Sequence, residues 1–96
     1  MELEFVGEVI EWRGPAPFYY VVIPEDESEA IGSVATAFTY GWGVIPVRAV
    51  VAGTTFTTSL FPRNGGYLLP LKDAVRRPAG IDVGDRVAVE LSLVPA

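Results

Sequence analysis

The chain is 96 residues long, half of them hydrophobic, and carries a formal charge of −5. That length fits one domain, residues 1–96, able to bury roughly 60–70% of its unfolded surface in a single core. Cysteine and histidine are absent, which excludes disulfides, thiolate metal sites and cysteine nucleophiles, and removes the usual general base and the commonest zinc ligand.

Leu3 to Trp12 reads as a first strand with imperfect alternation. Leu3, Phe5 and Val9 share one parity, and Val6, Ile10 and Trp12 share the other. Gly7 lies where the pattern is ambiguous, a position that often marks a bulge or bend. Arg13-Gly14-Pro15-Ala16-Pro17 is a turn by composition. Phe18 to Ile23, dense in β-branched and aromatic residues, is a second strand.

Pro24-Glu25-Asp26-Glu27-Ser28-Glu29 opens a helix. Proline suits the first helical position, and carboxylates in the first turn meet the positive end of the helix dipole. Ala30, Ile31, Val34, Ala35 and Phe38 give that helix an apolar face. Tyr40-Gly41-Trp42-Gly43 is a loop. Val44 to Ala52 is a strand apolar on both parities except at Arg48, so burial on both faces is expected. A turn at Ala52-Gly53-Thr54 leads to a threonine-rich hairpin partner, Thr55 to Phe61.

The next turn is Arg63-Asn64-Gly65-Gly66, where Asn-Gly accepts the positive φ values of tight hairpins. Tyr67 to Leu71 is a short strand, and Lys72 to Arg77 a short helix ended by Pro78, with Gly80 just beyond. In that helix Lys72 and Arg76 share an outer face, and Asp73 can pair with Arg77 at i,i+4. Gly84-Asp85 launches the last strand, Arg86 to Val94. There Val87, Val89, Leu91 and Leu93 point inward, and Asp85 sets the turn through local backbone amides.

Short strands at close spacing with one or two short helices do not make a doubly wound sheet. A mainly β chain forming a small antiparallel barrel is expected, because closure removes exposed edges. No apolar segment approaches the roughly 20 residues that span a bilayer. Met1-Glu2-Leu3-Glu4-Phe5 has neither the basic nor the apolar region of a signal peptide. A soluble, cytoplasmic protein without a membrane partner is the expectation.

Several segments carry a family resemblance. They are Glu11-Trp12-Arg13-Gly14-Pro15-Ala16-Pro17-Phe18, Gly41-Trp42-Gly43-Val44-Ile45-Pro46-Val47-Arg48, Thr57-Thr58-Ser59-Leu60-Phe61-Pro62 and Gly65-Gly66-Tyr67-Leu68-Leu69-Pro70-Leu71-Lys72, followed by Val75-Arg76-Arg77. With them the chain resembles a bacterial domain-of-unknown-function family, the one numbered nineteen-oh-five. The resemblance implies a double-split β-barrel, the architecture of swapped-hairpin DNA-binding regulators and antitoxins. Leu69-Pro70-Leu71, Arg76, Gly80-Ile81 and Asp85 are similar to the regulators' strand, basic helix, glycine hinge and closing strand. Fold kinship does not carry function.

Arg63, Lys72, Arg76 and Arg77 hold four of the seven positive residues. On one face they could grip phosphate or carboxylate, arginine with two parallel hydrogen bonds; the alternative is a solvated helix paired with neighbouring carboxylates. Arg48 is the only charge in its strand, so it lines a ligand groove, faces water, or pairs with an acid such as Glu8. Trp12, Tyr40 and Trp42 lie in or beside glycine-containing loops. They either stack on a ligand or, more commonly, plug the end of a barrel. The carboxylates from Glu25 to Glu29 lack calcium-loop spacing. Ser59 with Lys72 is the only conceivable serine–lysine pair, so no enzyme, metal or cofactor is expected.

The expected function is a non-catalytic binding module for an anionic small molecule, a peptide or a protein partner. Its candidate ligand-binding residues are Trp12, Arg13, Trp42, Arg48, Arg63, Lys72 and Arg76. The alternative is a DNA-binding regulator, which the net charge disfavours and which predicts a homodimer with salt-sensitive affinity.

Overall fold

Alternation along the strands decides which side chains the fold encloses. The computed structural model describes residues 1–13, 18–38 and 44–94. Its elements are β1 (Glu2–Trp12), β2 (Phe18–Val22), α1 (Glu25–Phe38), β3 (Ile45–Val51), β4 (Thr54–Arg63), β5 (Gly66–Leu71), α2 (Asp73–Ala79) and β6 (Arg86–Leu93). All strand pairs are antiparallel, and they close into a barrel in the order β1-β2-β5-β4-β3-β6. The expected mainly β antiparallel barrel with one or two short helices is the observed fold, with two helices. Among the described residues no helix is long and apolar enough to cross a membrane.

The core comes from one parity of each strand. Val9, Val21, Val47, Leu60, Leu69 and Leu91 are all essentially sealed from solvent. The clean alternation of β6 holds, with Val89, Leu91 and Leu93 buried and Val87 packed against the core.

β1 is long enough to serve two halves of the barrel. Glu2 to Glu8 pair with β6, and Val9 to Trp12 pair with β2. Gly7 lies at that handover, where a Cβ would come within 2.4 Å of the Val22 carbonyl oxygen and 2.6 Å of Val21 Cγ1. The ambiguous glycine is therefore a close-approach position, since no side chain fits beneath β2. β4 makes the same transition, pairing with β3 through Leu60 and with β5 from Phe61. It runs to Arg63, two residues past its expected end at Phe61. The tight turn with Asn64 at φ 50° and Gly65 at φ 80° keeps the strands paired up to Arg63 and Gly66.

α1 packs against β5 and β3. It buries Ile31 and Ser28, whose hydroxyl donates to the Ile23 carbonyl (3.2 Å) and accepts from the Tyr67 amide (3.3 Å). α2 buries Val75, with Ile81 just after it. It does not end at Pro78 as expected. Pro78 falls in the last turn, where its missing N–H removes a single bond. Gly80 in the left-handed region is the actual stop: its amide bonds the Arg77 carbonyl and the Ile81 amide bonds that of Arg76, both at 3.1 Å. Asp85 sets the following turn by accepting from the Asp82 amide at 2.8 Å.

Candidate functional site

The outward parity divides the barrel surface into two kinds. Around β6 and β3 it is mostly polar, with Glu4 opposite Glu90 and Arg48 opposite Thr57 and Ser92. Around β2 and β5 it is apolar. Ile10, Tyr20 and Pro70 form one cross-strand row, and Val22, Leu68 and Phe61 form the next. Trp12 opposite Phe18 completes the face at the end of β1. Trp12 is 53% exposed, Phe61 45% and Phe18 37%. These three rings leave large aromatic surface in water, which makes this face the candidate site.

Arg63 organises this face. Its guanidinium lies 5.2 Å from the centre of the Trp12 ring, a cation–π contact. β2 and β5 separate β1 from β4 in the barrel, so the contact spans the apolar face. Trp12, Tyr20, Phe61, Pro62, Arg63 and Leu68 enclose a recess of about 250 Å³. Leu68 points outward yet is only 8% exposed, because these neighbours cover it. Arg63 and Leu68 also border a larger recess of about 570 Å³ that reaches Glu25 and Glu29 on α1 and Asn64 in the hairpin turn.

Arg76 belongs to a different cluster. Its side chain is 13% exposed, and its guanidinium lies 3.9 Å from the Tyr19 ring centre. Nη1 donates to the Ile81 carbonyl at 3.1 Å, and Nη2 meets Asp73 Oδ1 at 3.3 Å. These contacts bind α2 to β2 and to its own exit loop. Partial burial raises the Tyr19 phenol above its ordinary value of 10.0, and a hydrogen bond to Glu11 and that carboxylate's charge raise it further, while Arg76 pulls it down. Arg77 pairs with Asp73 at 3.6 Å, the expected i,i+4 contact.

The seven sequence candidates therefore separate. Trp12 and Arg63 meet. Arg13 is largely exposed and bonds Glu11 at 3.0 Å. Lys72 is exposed at the N-cap of α2. Arg48 points to water on the polar half, unlike its apolar neighbours Val47 and Ala49, and it is six residues along β4 from Arg63 by its pairing with Thr57. Six residues of strand amount to about 20 Å, so Arg48 and Arg63 do not share a face. Trp42, like Tyr40, lies outside the described residues.

Phe18, Tyr20, Phe61 and Leu68 line the site without having been candidates. The signal for them was apolar residues on both parities of β1, β2 and β5, which a barrel wall needs on one parity only. Among the described residues no group of acidic side chains is arranged to hold a metal ion.

The fold and this face together define a small closed antiparallel barrel with an aromatic-and-arginine groove on one outer half. Within that class, the chain belongs to the family described as Domain of unknown function (DUF1905), whose model matches residues 5–91. No curated protein matches it.

Proposed function

We propose that this protein is a non-catalytic binding module that takes a peptide segment of a partner protein across the outer aromatic face. One observation carries the reading: the outward residues of β1 and β4 turn from polar to apolar where those strands pass into the β2–β5 half. β1 goes from Glu2, Glu4, Val6 and Glu8, three of the four acidic, to Ile10 and Trp12, and β4 goes from Thr55, Thr57 and Ser59 to Phe61 and Arg63. Leu68 and Pro70 of that parity are buried, but Trp12, Phe18 and Phe61 stay exposed and outside the core cluster of the described residues, which leaves their surface to a partner. On this face Val9 to Trp12 are paired with β2 and Phe61 to Arg63 with β5, so what the surface offers is side chains, which favours side-chain docking over strand addition.

The anionic small-molecule form of the reading has less support, because Arg76 is engaged with Asp73 and Tyr19 and Arg48 faces the other half. The DNA-binding alternative relied on Arg76 and Arg77, of which Arg76 is engaged in this way and Arg77 is exposed and paired with Asp73. The double-split form of the barrel and a bacterial source stay with this reading on the strength of the resemblance, and a cytoplasmic setting stays with it as an expectation.

The test is selection of binders from a random peptide display library, followed by affinity measurement against Trp12→Ala and Phe61→Ala. The selected peptides should bind saturably and lose at least about tenfold in affinity on either substitution, with the fold intact by circular dichroism. Binders indifferent to both substitutions would refute the reading.

A further inference from the structure

The two recesses that meet at Arg63 and Leu68 differ in chemistry. The smaller is walled by Trp12, Tyr20 and Phe61. The larger adds Glu25 and Glu29, exposed and one helical turn apart on α1. Neither carboxylate is ion-paired among the described residues. Like charges at this spacing repel, so a cation arriving between them relieves the repulsion. Arg63 is the single positive side chain bordering that recess, and it is drawn toward Trp12. The groove is thus aromatic at one end and negative at the other.

Resting on the binding-module reading, we propose that the groove accepts a proline-containing segment in the polyproline II conformation with a lysine or arginine about five residues from the proline. The proline ring enters the recess of Trp12, Tyr20 and Phe61, and the cation reaches Glu25 and Glu29. Polyproline II has no internal hydrogen bonds, so its carbonyls stay free to accept from the Arg63 guanidinium and the Trp12 indole N–H. Such a segment is already extended, so little conformational freedom is lost when it docks on an aromatic-lined groove.

Spacing sets the pattern. Tyr20 and Glu25 are five residues apart, with β2 ending at Val22 and α1 starting at Glu25, so the chain between them spans at most about 17 Å. Polyproline II advances about 3.1 Å per residue, so up to about five residues link the two ends. The carboxylates also choose the partner's sign, because an acidic residue at that position would meet Glu25 and Glu29 directly.

The experiment is fluorescence anisotropy of the full chain with three labelled synthetic peptides, each about nine residues long. One carries two prolines and an arginine about five positions after the first; one has glutamate for that arginine; one has alanine for both prolines. The first should bind saturably, and each change should weaken binding at least about tenfold. Glu29→Lys should reverse the preference between the arginine and glutamate peptides, and Glu25→Gln, with an unchanged melting temperature, should reduce it.

No binding by any peptide, equal binding of arginine and glutamate peptides, or a preference that survives Glu29→Lys would overturn the assignment. Library-selected binders that depend on Trp12 but carry neither proline nor cation would sink this inference and leave the module standing. Binders that ignore Trp12 would remove both.

Discussion

Around β6 and β3 the outer wall presents Glu4, Glu90, Arg48 and Thr57, whereas around β2 and β5 it presents Trp12, Phe18, Tyr20 and Phe61. Both halves enclose the same core, so interior packing does not account for the difference. β1 and β4 serve as internal controls, because each runs through both halves and changes its outward residues at the crossing while its inward residues stay mostly apolar. The polar half has an aliphatic recess of its own, where exposed Val6 lies opposite Ala88 and beside Val50 and Ala52, but it carries no aromatic ring and is rimmed by Glu4 and Glu90. Apolar residues on a surface are ordinary, but a continuous aromatic face spanned by a cation–π contact is not.

The comparison can be broken at several strengths. The largest effect belongs to Gly7, at the crossing in β1. Gly7→Ala puts a methyl group against the Val22 carbonyl and should cost about 2–3 kcal/mol, read as a lower midpoint in urea unfolding. A wild-type midpoint would mean that β1 crosses between the halves without close approach.

Next comes Arg76→Ala, which removes the bond to the Ile81 carbonyl and the contact with Tyr19. It should destabilise by about 1–2 kcal/mol while leaving peptide affinity unchanged. Lost affinity at constant stability would return Arg76 to the binding surface.

Trp12→Ala should do the reverse. Stability should stay within about 1 kcal/mol, because the ring is largely exposed and its cation–π contact is weak at such a site, yet binding should fall. Arg48→Glu, on the polar half, should change stability by no more than about 0.5 kcal/mol and leave peptide affinity as it is.

The smallest effect is alkaline. The folded Tyr19 phenol titrates above its ordinary 10.0, so its contribution is fully present below that pH and is lost as pH rises through the higher folded value. Tyr19→Phe should flatten the decline in melting temperature above pH 10.0. An unaltered decline would show that the phenol does not titrate differently in the folded state.

Much of the barrel was legible because its signals are local. The Asn64-Gly65 turn, the alternation of β6 and the carboxylates opening α1 each need only a few consecutive residues. The face was harder to read. Trp12 and Arg63 are far apart in sequence, and only the order β1-β2-β5-β4 joins them, which no spacing rule reports. Ile10 and Trp12 on the second parity looked like poor alternation, when they were the outer surface. Gathering Arg63, Lys72, Arg76 and Arg77 into one basic face relied on nearness in sequence, whereas the length of β5 lies between Arg63 and α2, and Arg76 is turned onto Tyr19 and Asp73. Arg76 could not be read as a structural residue without knowing that Tyr19 lies beneath it.

The most direct test of the central claim is a titration of the labelled protein with a library-selected peptide, followed by amide and indole chemical shifts. Shifts centred on Ile10, Trp12, Tyr20, Phe61, Arg63 and Leu68, with Arg48, Glu90 and Arg76 unmoved, are what the account predicts. Shifts centred on the β3–β6 half, or on α2, would contradict it.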